Sequence, residues 1–241
     1  TPSNSSAASD VYKRQGISCF YHDAASCLIK DGKVIAAAEE ERFTRKKHDV
    51  NFPINSIKYC LSEDAISINE VNYIVFYEKP LLKFERVLSS TIEMFPKSLG
   101  VFVNSMPSWL NEKLRISSII KKKLKYKGDI LFTEHHQAHA ASAFLVSPFK
   151  EAAILTIDGV GEWTTTSLGF GKGNKITILK EIHFPHSLGL LYSTVTAYLG
   201  FKVNNDEYKI MGLAPYGKPK YMKEFRKIIK VKKDGSFRMN M

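Results

Sequence analysis

Short apolar runs separated by acidic and glycine turns organise the chain, and their order occurs twice. Gly16-Ile-Ser-Cys-Phe-Tyr predicts a strand that runs into His22-Asp23. A second strand follows over Ala24–Ile29, then a Lys30-Asp31-Gly32-Lys33 turn and a third strand over Val34–Ala38. Asp-Gly between alternating apolar segments is a strong hairpin signal. The second copy starts at Ala152–Ile157, ends in Asp158-Gly159-Val160-Gly161, and continues through Thr164–Phe170, a Gly171-Lys-Gly-Asn turn and Ile176–Ile182. A helix is predicted after each copy, over Pro53–Ser62 and Ser187–Leu199. Two like halves of this kind would face each other across a cleft between their acidic turns.

Between the copies, Val71–Tyr77 and Ile130–Thr133 read as strands. Residues 80–127 read as a helical insertion broken at Pro96 and Pro107. Thr133 is placed to cap an alanine-rich helix over Glu134–Leu145, whose Ala138, Ala141 and Ala143 suit close packing on a sheet. Lys218–Lys233 reads as a basic amphipathic helix. The Ser/Ala/Asn-rich start, residues 1–15, has no period and reads as a non-native leader. The domain division expected is therefore 16–150, with its insertion at about 80–127, and 151–241 as a truncated second subdomain.

Composition narrows the class. The chain has 241 residues, 44% of them apolar and 24% charged, which excludes a disordered tail, a collagen-like repeat and a disulfide scaffold. Val87–Leu110 is the nearest thing to a membrane span, and Glu93, Lys97 and Asn104 interrupt it. Cys19, Cys27 and Cys60 are odd in number and lack a Cys-x-x-Cys spacing, so they read as reduced thiols in a cytoplasm. The net charge of +11 is concentrated in residues 112–127 and 202–241. Lysine outnumbers arginine 28 to 7 there and elsewhere, which favours a solvated lysine-rich face over a nucleic-acid surface.

Several residues carry candidate chemistry. His135 and His139 are spaced i, i+4, so both imidazoles share one helix face, a spacing that suits two ligands of one metal. On its own such a pair is more often structural. Asp158, at the end of a repeated strand, adds a carboxylate, and two histidines with a carboxylate form an iron or zinc set with open positions. His136 points elsewhere on the helix. Asp158-Gly-Val-Gly-Glu can let backbone approach a phosphate or simply turn the chain. His22-Asp23 can act as a base or phosphate contact, or serve as an Asp-type turn. Glu39–His48 is a dense charged run at the end of a strand, read as a solvated loop with some members entering the cleft. Asn205–Gly217 reads as a long functional loop carrying Lys209. Trp163, Phe184 and Tyr192 read as core.

Taken together, Phe20-Tyr-His-Asp-Ala-Ala, Ala37-Ala-Glu-Glu-Glu-Arg-Phe-Thr-Arg-Lys-Lys-His, Glu134-His-His-Gln-Ala-His-Ala-Ala-Ser-Ala-Phe, Asp158-Gly-Val-Gly-Glu-Trp and Met211-Gly-Leu-Ala-Pro-Tyr-Gly resemble the carbamoyltransferase family of nodulation-factor and cephamycin biosynthesis (NodU/CmcH type). The resemblance spans residues 16–217. It implies an α/β, actin-like ATPase or ribonuclease H-like duplicated fold with its second half incomplete, similar to the tRNA threonylcarbamoyl transferase catalytic subunit. It implies O-carbamoyl transfer from carbamoyl-adenylate to a hydroxyl of a small-molecule or sugar acceptor in a biosynthetic pathway. It implies Fe(II) or another divalent metal on His135, His139 and Asp158, and catalytic roles for His22 and Asp23. It also implies ATP or carbamoyl-adenylate contacts from Gly159, Gly161, Lys209 and Gly212. Members carry a glycine near position 206, where this chain reads Asn205-Asp206-Glu207. A further aspartate ligand and a YrdC-like domain that makes the adenylate from carbamoyl phosphate are expected beyond Met241, so the chain alone is expected to be inactive. A kinase-like ATPase of the same fold and a non-catalytic nucleic-acid-binding module are the alternative classes. No membrane partner is expected.

Overall fold

The computed structural model describes residues 11–241. In chain order its elements are β1 (Lys13–Ser18), β2 (Ala25–Lys30), β3 (Lys33–Glu39), α1 (Glu41–Thr44), α2 (Ile54–Glu63), β4 (Tyr73–Phe76), α3 (Pro80–Glu93), α4 (Leu99–Asn111), α5 (Ile116–Leu124), β5 (Asp129–Phe132), α6 (His135–Phe144), β6 (Glu151–Ile157), β7 (Thr164–Lys172), β8 (Lys175–His183), α7 (Leu188–Tyr198), α8 (Glu207–Leu213), α9 (Met222–Ile228), β9 (Ile229–Val231) and β10 (Phe237–Met239). They divide into two compact units. One takes the chain through Tyr77 together with Gly100–Thr133; the other takes Glu78–Leu99 and Glu134–Met241.

The first unit is built on a five-stranded sheet of order β3-β2-β1-β4-β5. β2 runs antiparallel to β1 and β3, while β4 and β5 run parallel to β1. A meander followed by two parallel strands on its far side is the half-repeat of a ribonuclease H-like, actin-like fold. The β2–β3 turn is the predicted Asp31-Gly32, with φ of 48° and 78°. Both positive values match a two-residue hairpin turn whose twist suits the flanking strands. Ile17, Ile74 and Phe76 from the sheet pack with Ile57 of α2 and Ile116 and Ile120 of α5. Each such side chain contributes about 1.5–3 kcal/mol on burial. β1 begins at Lys13, three residues before the predicted strand, and Gln15 is fully buried, its amide on Ser26 Oγ. Residues 13–15 are thus part of the fold, because β2 supplies ladder partners as far as Lys13↔Lys30. Of the rest of the proposed leader, Tyr12 exchanges hydrogen bonds with Asp31, and residues 1–10 lie outside the described residues.

Glu40 shows what the charged run after β3 does. It is buried, and its carboxylate accepts from the Asn55 N–H, the Asn55 amide and the Ser56 N–H at 3.2, 2.7 and 2.8 Å. It satisfies the first turn of α2, whose own N-cap, Pro53, offers no side-chain bond.

The second unit repeats the meander: β6, β7 and β8 are antiparallel in that order, with Gly173 at φ 60° in the β7–β8 turn. α7 follows, capped by Ser187, whose hydroxyl accepts from the Leu190 N–H at 3.0 Å. One sheet face packs Ile154 against Ala140 and Phe144 of α6. Ile154 is therefore buried, whereas Leu155, Ile157, Leu168, Phe170 and Leu179 on the other face are exposed. Strand alternation puts neighbours in sequence on opposite faces.

Other elements depart from expectation. Pro107 lies inside α4 rather than ending a helix. Asn205–Gly217 is not a loop: α8 and a short 3-10 turn at Ala214–Tyr216 occupy it, and Glu207 holds its entry by accepting from the Asn204 and Asn205 N–H groups. The basic amphipathic helix shortens to α9, and the chain then forms the β9–β10 hairpin across an Asp234-Gly235 turn. Tyr192 is exposed rather than core. Among the described residues, no helix is long and apolar enough to cross a membrane.

Candidate metal centre and the acidic turns

α6 starts directly after the strand–turn at Phe132–Thr133, and its first residue is His135. The predicted Thr133 cap is not formed. The N-cap is Glu134, which makes no side-chain cap bond. The carboxylate of Glu162, from the Asp158–Glu162 turn, accepts the His135 N–H instead, at 3.1 and 3.2 Å. It also accepts the Lys79 N–H at 2.8 Å, and it is buried. A cap supplied from another element leaves no local signature, which is why the helix sequence did not reveal it. An acidic side chain there also suits the positive end of the helix dipole.

This cap sets His135 against Asp158. His135 Nε2 lies 2.8 Å from Asp158 Oδ2, His139 Nε2 lies 3.0 Å from His135 Nε2, and His139 Nε2 lies 3.8 Å from Asp158 Oδ2. The side chains are 14%, 50% and 33% exposed for His135, His139 and Asp158, so the cluster opens on the His139 side. The three predicted residues are therefore brought together. Burial pushes the Asp158 carboxyl up, but the hydrogen bonds with His135 and His139 outweigh it and hold the group well below the usual carboxylate range.

The donor set fits a divalent cation. A single proton on His135 Nε2 cannot satisfy Asp158 and His139 with good geometry. A proton on His139 instead leaves the His135 lone pair facing a carboxylate. One cation accepts all three lone pairs. Ligand bonds of about 2.0–2.2 Å put neighbouring donors about 3 Å apart, close to two of the three separations found here. His136, between the two, is buried and engaged elsewhere: its Nδ1 is 2.6 Å from Thr156 Oγ1, which is 2.6 Å from Ser167 Oγ. Burial lowers its pKa, and a buried neutral imidazole in a hydrogen-bonded chain is a structural residue.

Glycines seat this geometry. A Cβ on Gly161 would meet His135 Cβ at 2.9 Å, and one on Gly189 of α7 would meet the Asp158 carbonyl oxygen at 2.4 Å. Gly161 therefore lets the turn touch α6, and its N–H is given to the Thr164 carbonyl at 2.9 Å. Gly189 lets α7 sit on the Asp158–Gly159 peptide, where the Ser187 hydroxyl donates to the Gly159 carbonyl at 2.6 Å. Gly189 and Ser187 were not singled out from the sequence. Gly159 has only a Leu190 methyl at 3.7 Å, and Gly212 has open space around it. Lys209 pairs with Asp206 at 2.7 Å, with its ammonium over the Tyr208 ring. A separate cavity of about 410 Å³ in this unit is lined by Leu82, His136, Trp163, Glu181 and His183 among others, and none of the three clustered donors borders it.

In the first unit, His22 Nδ1 lies 2.9 Å from Asp23 Oδ2, so the two predicted residues are paired. Asp23 also meets His48, and Glu41 accepts the His48 backbone N–H at 2.9 Å. Here Asp23 meets one imidazole through each of its oxygens, and Glu41 already accepts a backbone N–H. Burial raises the Asp23 carboxyl, but hydrogen bonds from His48 and His22 prevail and lower it.

Comparison with known proteins decides the family. The profile described as "Carbamoyltransferase N-terminus" matches residues 13–241. The chain belongs to this family. It is 57% identical over 235 residues to an uncharacterized protein of Synechocystis sp., covering 94% of this chain and 38% of that one. It is 39% identical over 206 residues to the nodulation protein NolNO of Sinorhizobium fredii, covering 83% and 28%. The chain thus spans less than two fifths of the length of these relatives. Among solved structures, component A of (R)-2-hydroxyglutaryl-CoA dehydratase from Acidaminococcus fermentans aligns over 87% of this chain and 70% of its own, with TM-score 0.40 and 12% identity. The family match begins at Lys13, the first residue of β1.

Proposed function

We propose that this chain is the acceptor-carbamoylating lobe of an O-carbamoyltransferase, taking the carbamoyl group from carbamoyl-adenylate to a hydroxyl of a small-molecule or sugar acceptor. The observation that carries the reading is the convergence of His135, His139 and Asp158 in a chain of this family. These residues would hold Fe(II) or another divalent ion, which when bound supplies positive charge against phosphate oxygens. Hard or borderline ions suit a set of two imidazoles and a carboxylate.

The chain's own residues do the rest. The Asp158–Gly161 turn offers the nucleotide a surface without side chains at Gly159 and Gly161, and Gly161 contributes mainly by admitting His135. Gly212 would leave room for the nucleotide beside α8, and Lys209 would exchange Asp206 for a phosphate. Asp23 holds His22 by Nδ1, leaving Nε2 to take the proton of an acceptor hydroxyl as it attacks the carbamoyl carbon, whose bond to the phosphate oxygen breaks to release AMP. A YrdC-like domain would supply the adenylate from ATP and carbamoyl phosphate. The working compartment proposed is the cytoplasm.

The test is transfer of radiolabelled carbamoyl groups to a panel of hydroxylated acceptors. The complete protein is given carbamoyl phosphate and ATP, and this chain is given preformed carbamoyl-adenylate. Carbamoylated product is expected from the complete protein, with little or none from this chain by itself. ATP hydrolysis with no carbamoylated product would replace the reading with a kinase-like ATPase.

A further inference from the structure

We propose that His48 is a positioning residue for His22, acting through Asp23 to fix the tautomer of the His22 ring. His48 Nδ1 lies 2.7 Å from Asp23 Oδ1, and His22 Nδ1 lies 2.9 Å from Asp23 Oδ2. One carboxylate thus spans two imidazoles, each through its own oxygen. The proton positions follow from burial. His48 Nε2 is closed to solvent and has no hydrogen-bond partner. A proton there would be a buried orphan donor, costing roughly 1–3 kcal/mol. His48 is therefore the neutral Nδ1–H form and donates to Asp23. With Oδ1 occupied, Asp23 is held so that Oδ2 accepts from His22 Nδ1–H. The lone pair of His22 is then on Nε2, in an imidazole that is 45% exposed.

The backbone commits to this arrangement. Asp23 and His48 both adopt left-handed conformations, with φ of 48° and 54°. Asp and His tolerate that region better than most residues. Two backbone bonds lace the segments together on either side of the pair. The Phe20 N–H donates to the Val50 carbonyl at 2.8 Å, and the Ala24 N–H donates to the Asp49 carbonyl at 2.7 Å. Glu41 grips the His48 N–H, so the imidazole is presented by a segment tied at both ends. Glu39–His48 is thereby divided in role: Glu40 builds α2, while Glu41 and His48 set the first acidic turn.

The inference rests on the reading of His22 as the proton acceptor only for its catalytic consequence; the tautomer is measured without substrate. The experiment is ¹⁵N nuclear magnetic resonance of histidine-labelled protein at pH 8, comparing wild type, His48→Asn and His48→Gly. Asn and Gly both accept the left-handed backbone, but only Asn keeps a donor for Asp23. Wild type should show protonated Nδ1 and bare Nε2 on both His22 and His48. His48→Asn should keep the His22 pattern, and His48→Gly should lose it to a mixture of tautomers. In the transfer assay, kcat should fall in His48→Gly, with KM little changed, and recover in His48→Asn. A proton on His48 Nε2 in wild type would overturn the proposal by itself, even if a variant failed to fold. An unchanged His22 pattern in His48→Gly would also overturn it. Correct tautomers with no carbamoyl transfer would refute the function and leave the positioning intact.

Discussion

Glu162→Ala removes the cap that places His135, the first histidine of the proposed metal set. Two backbone donors lose their acceptor at once: His135 N–H, at 3.1 Å, and Lys79 N–H, at 2.8 Å. Loss of a helix cap costs about 1 kcal/mol. An orphaned buried N–H costs about 1–3 kcal/mol. The carboxylate is only 6% exposed, so solvent replaces little of it. The sum is about 2–4 kcal/mol of local stability, or amide exchange faster by about 30-fold at the lower end. Exchange measured at Lys79, His135 and Ala138 reads this directly, because Ala138 N–H makes the first backbone bond of α6, to the Glu134 carbonyl. Glu162→Gln keeps one acceptor oxygen and should lose only about 1 kcal/mol. Metal affinity should drop roughly tenfold in the Ala variant, as for other supports of ligating histidines. Exchange within twofold of wild type at all three amides would refute the cap.

Other outcomes follow from the same geometry. Asp158→Asn should weaken divalent metal binding by more than about 100-fold, since a proposed ligand rather than a support is altered, with a melting temperature close to wild type. A large drop in melting temperature with metal retained would make Asp158 structural. His136 has a folded-state pKa below its unfolded value, so its stabilising contribution is complete above about pH 6.5 and is lost as pH falls from there toward the folded value. Wild type should therefore lose more melting temperature than His136→Asn between pH 7.5 and 5; equal losses would contradict this. The exposed apolar face of β6–β8 should bind a hydrophobic dye and promote self-association, and Leu155→Lys with Leu179→Lys should reduce both in fluorescence titration and light scattering.

The parts of the fold with local causes were legible. Asp31-Gly32 and Gly173 mark the two hairpin turns because left-handed backbone needs those residue types. The i, i+4 spacing of His135 and His139 put them on one face, and Asp158 sat at a strand end, so the donor set could be assembled from the sequence. Non-local causes were not legible. Glu162 caps a helix that begins 27 residues earlier, and Glu40 caps one 15 residues later. Asp-Glu at 206–207 begins a helix where turn residues suggested a loop, because Glu207 satisfies the two preceding N–H groups. β6 was legible as an apolar strand, but its alternation of covered and exposed positions was not, since that depends on how α6 docks. His48 looked like one charge in a run; only the laced backbone at Phe20–Val50 and Ala24–Asp49 brings it to Asp23.

Metal content and affinity across four alanine variants test the central claim most directly. Purified wild type, His135→Ala, His139→Ala, Asp158→Ala and His136→Ala are loaded anaerobically with Fe(II) and with Zn(II), desalted and analysed for bound metal. Wild type and His136→Ala should retain close to one ion per chain, while the three cluster variants retain almost none. Equal metal in all five proteins, or loss in His136→Ala alone, would contradict the assignment of His135, His139 and Asp158 as the metal centre.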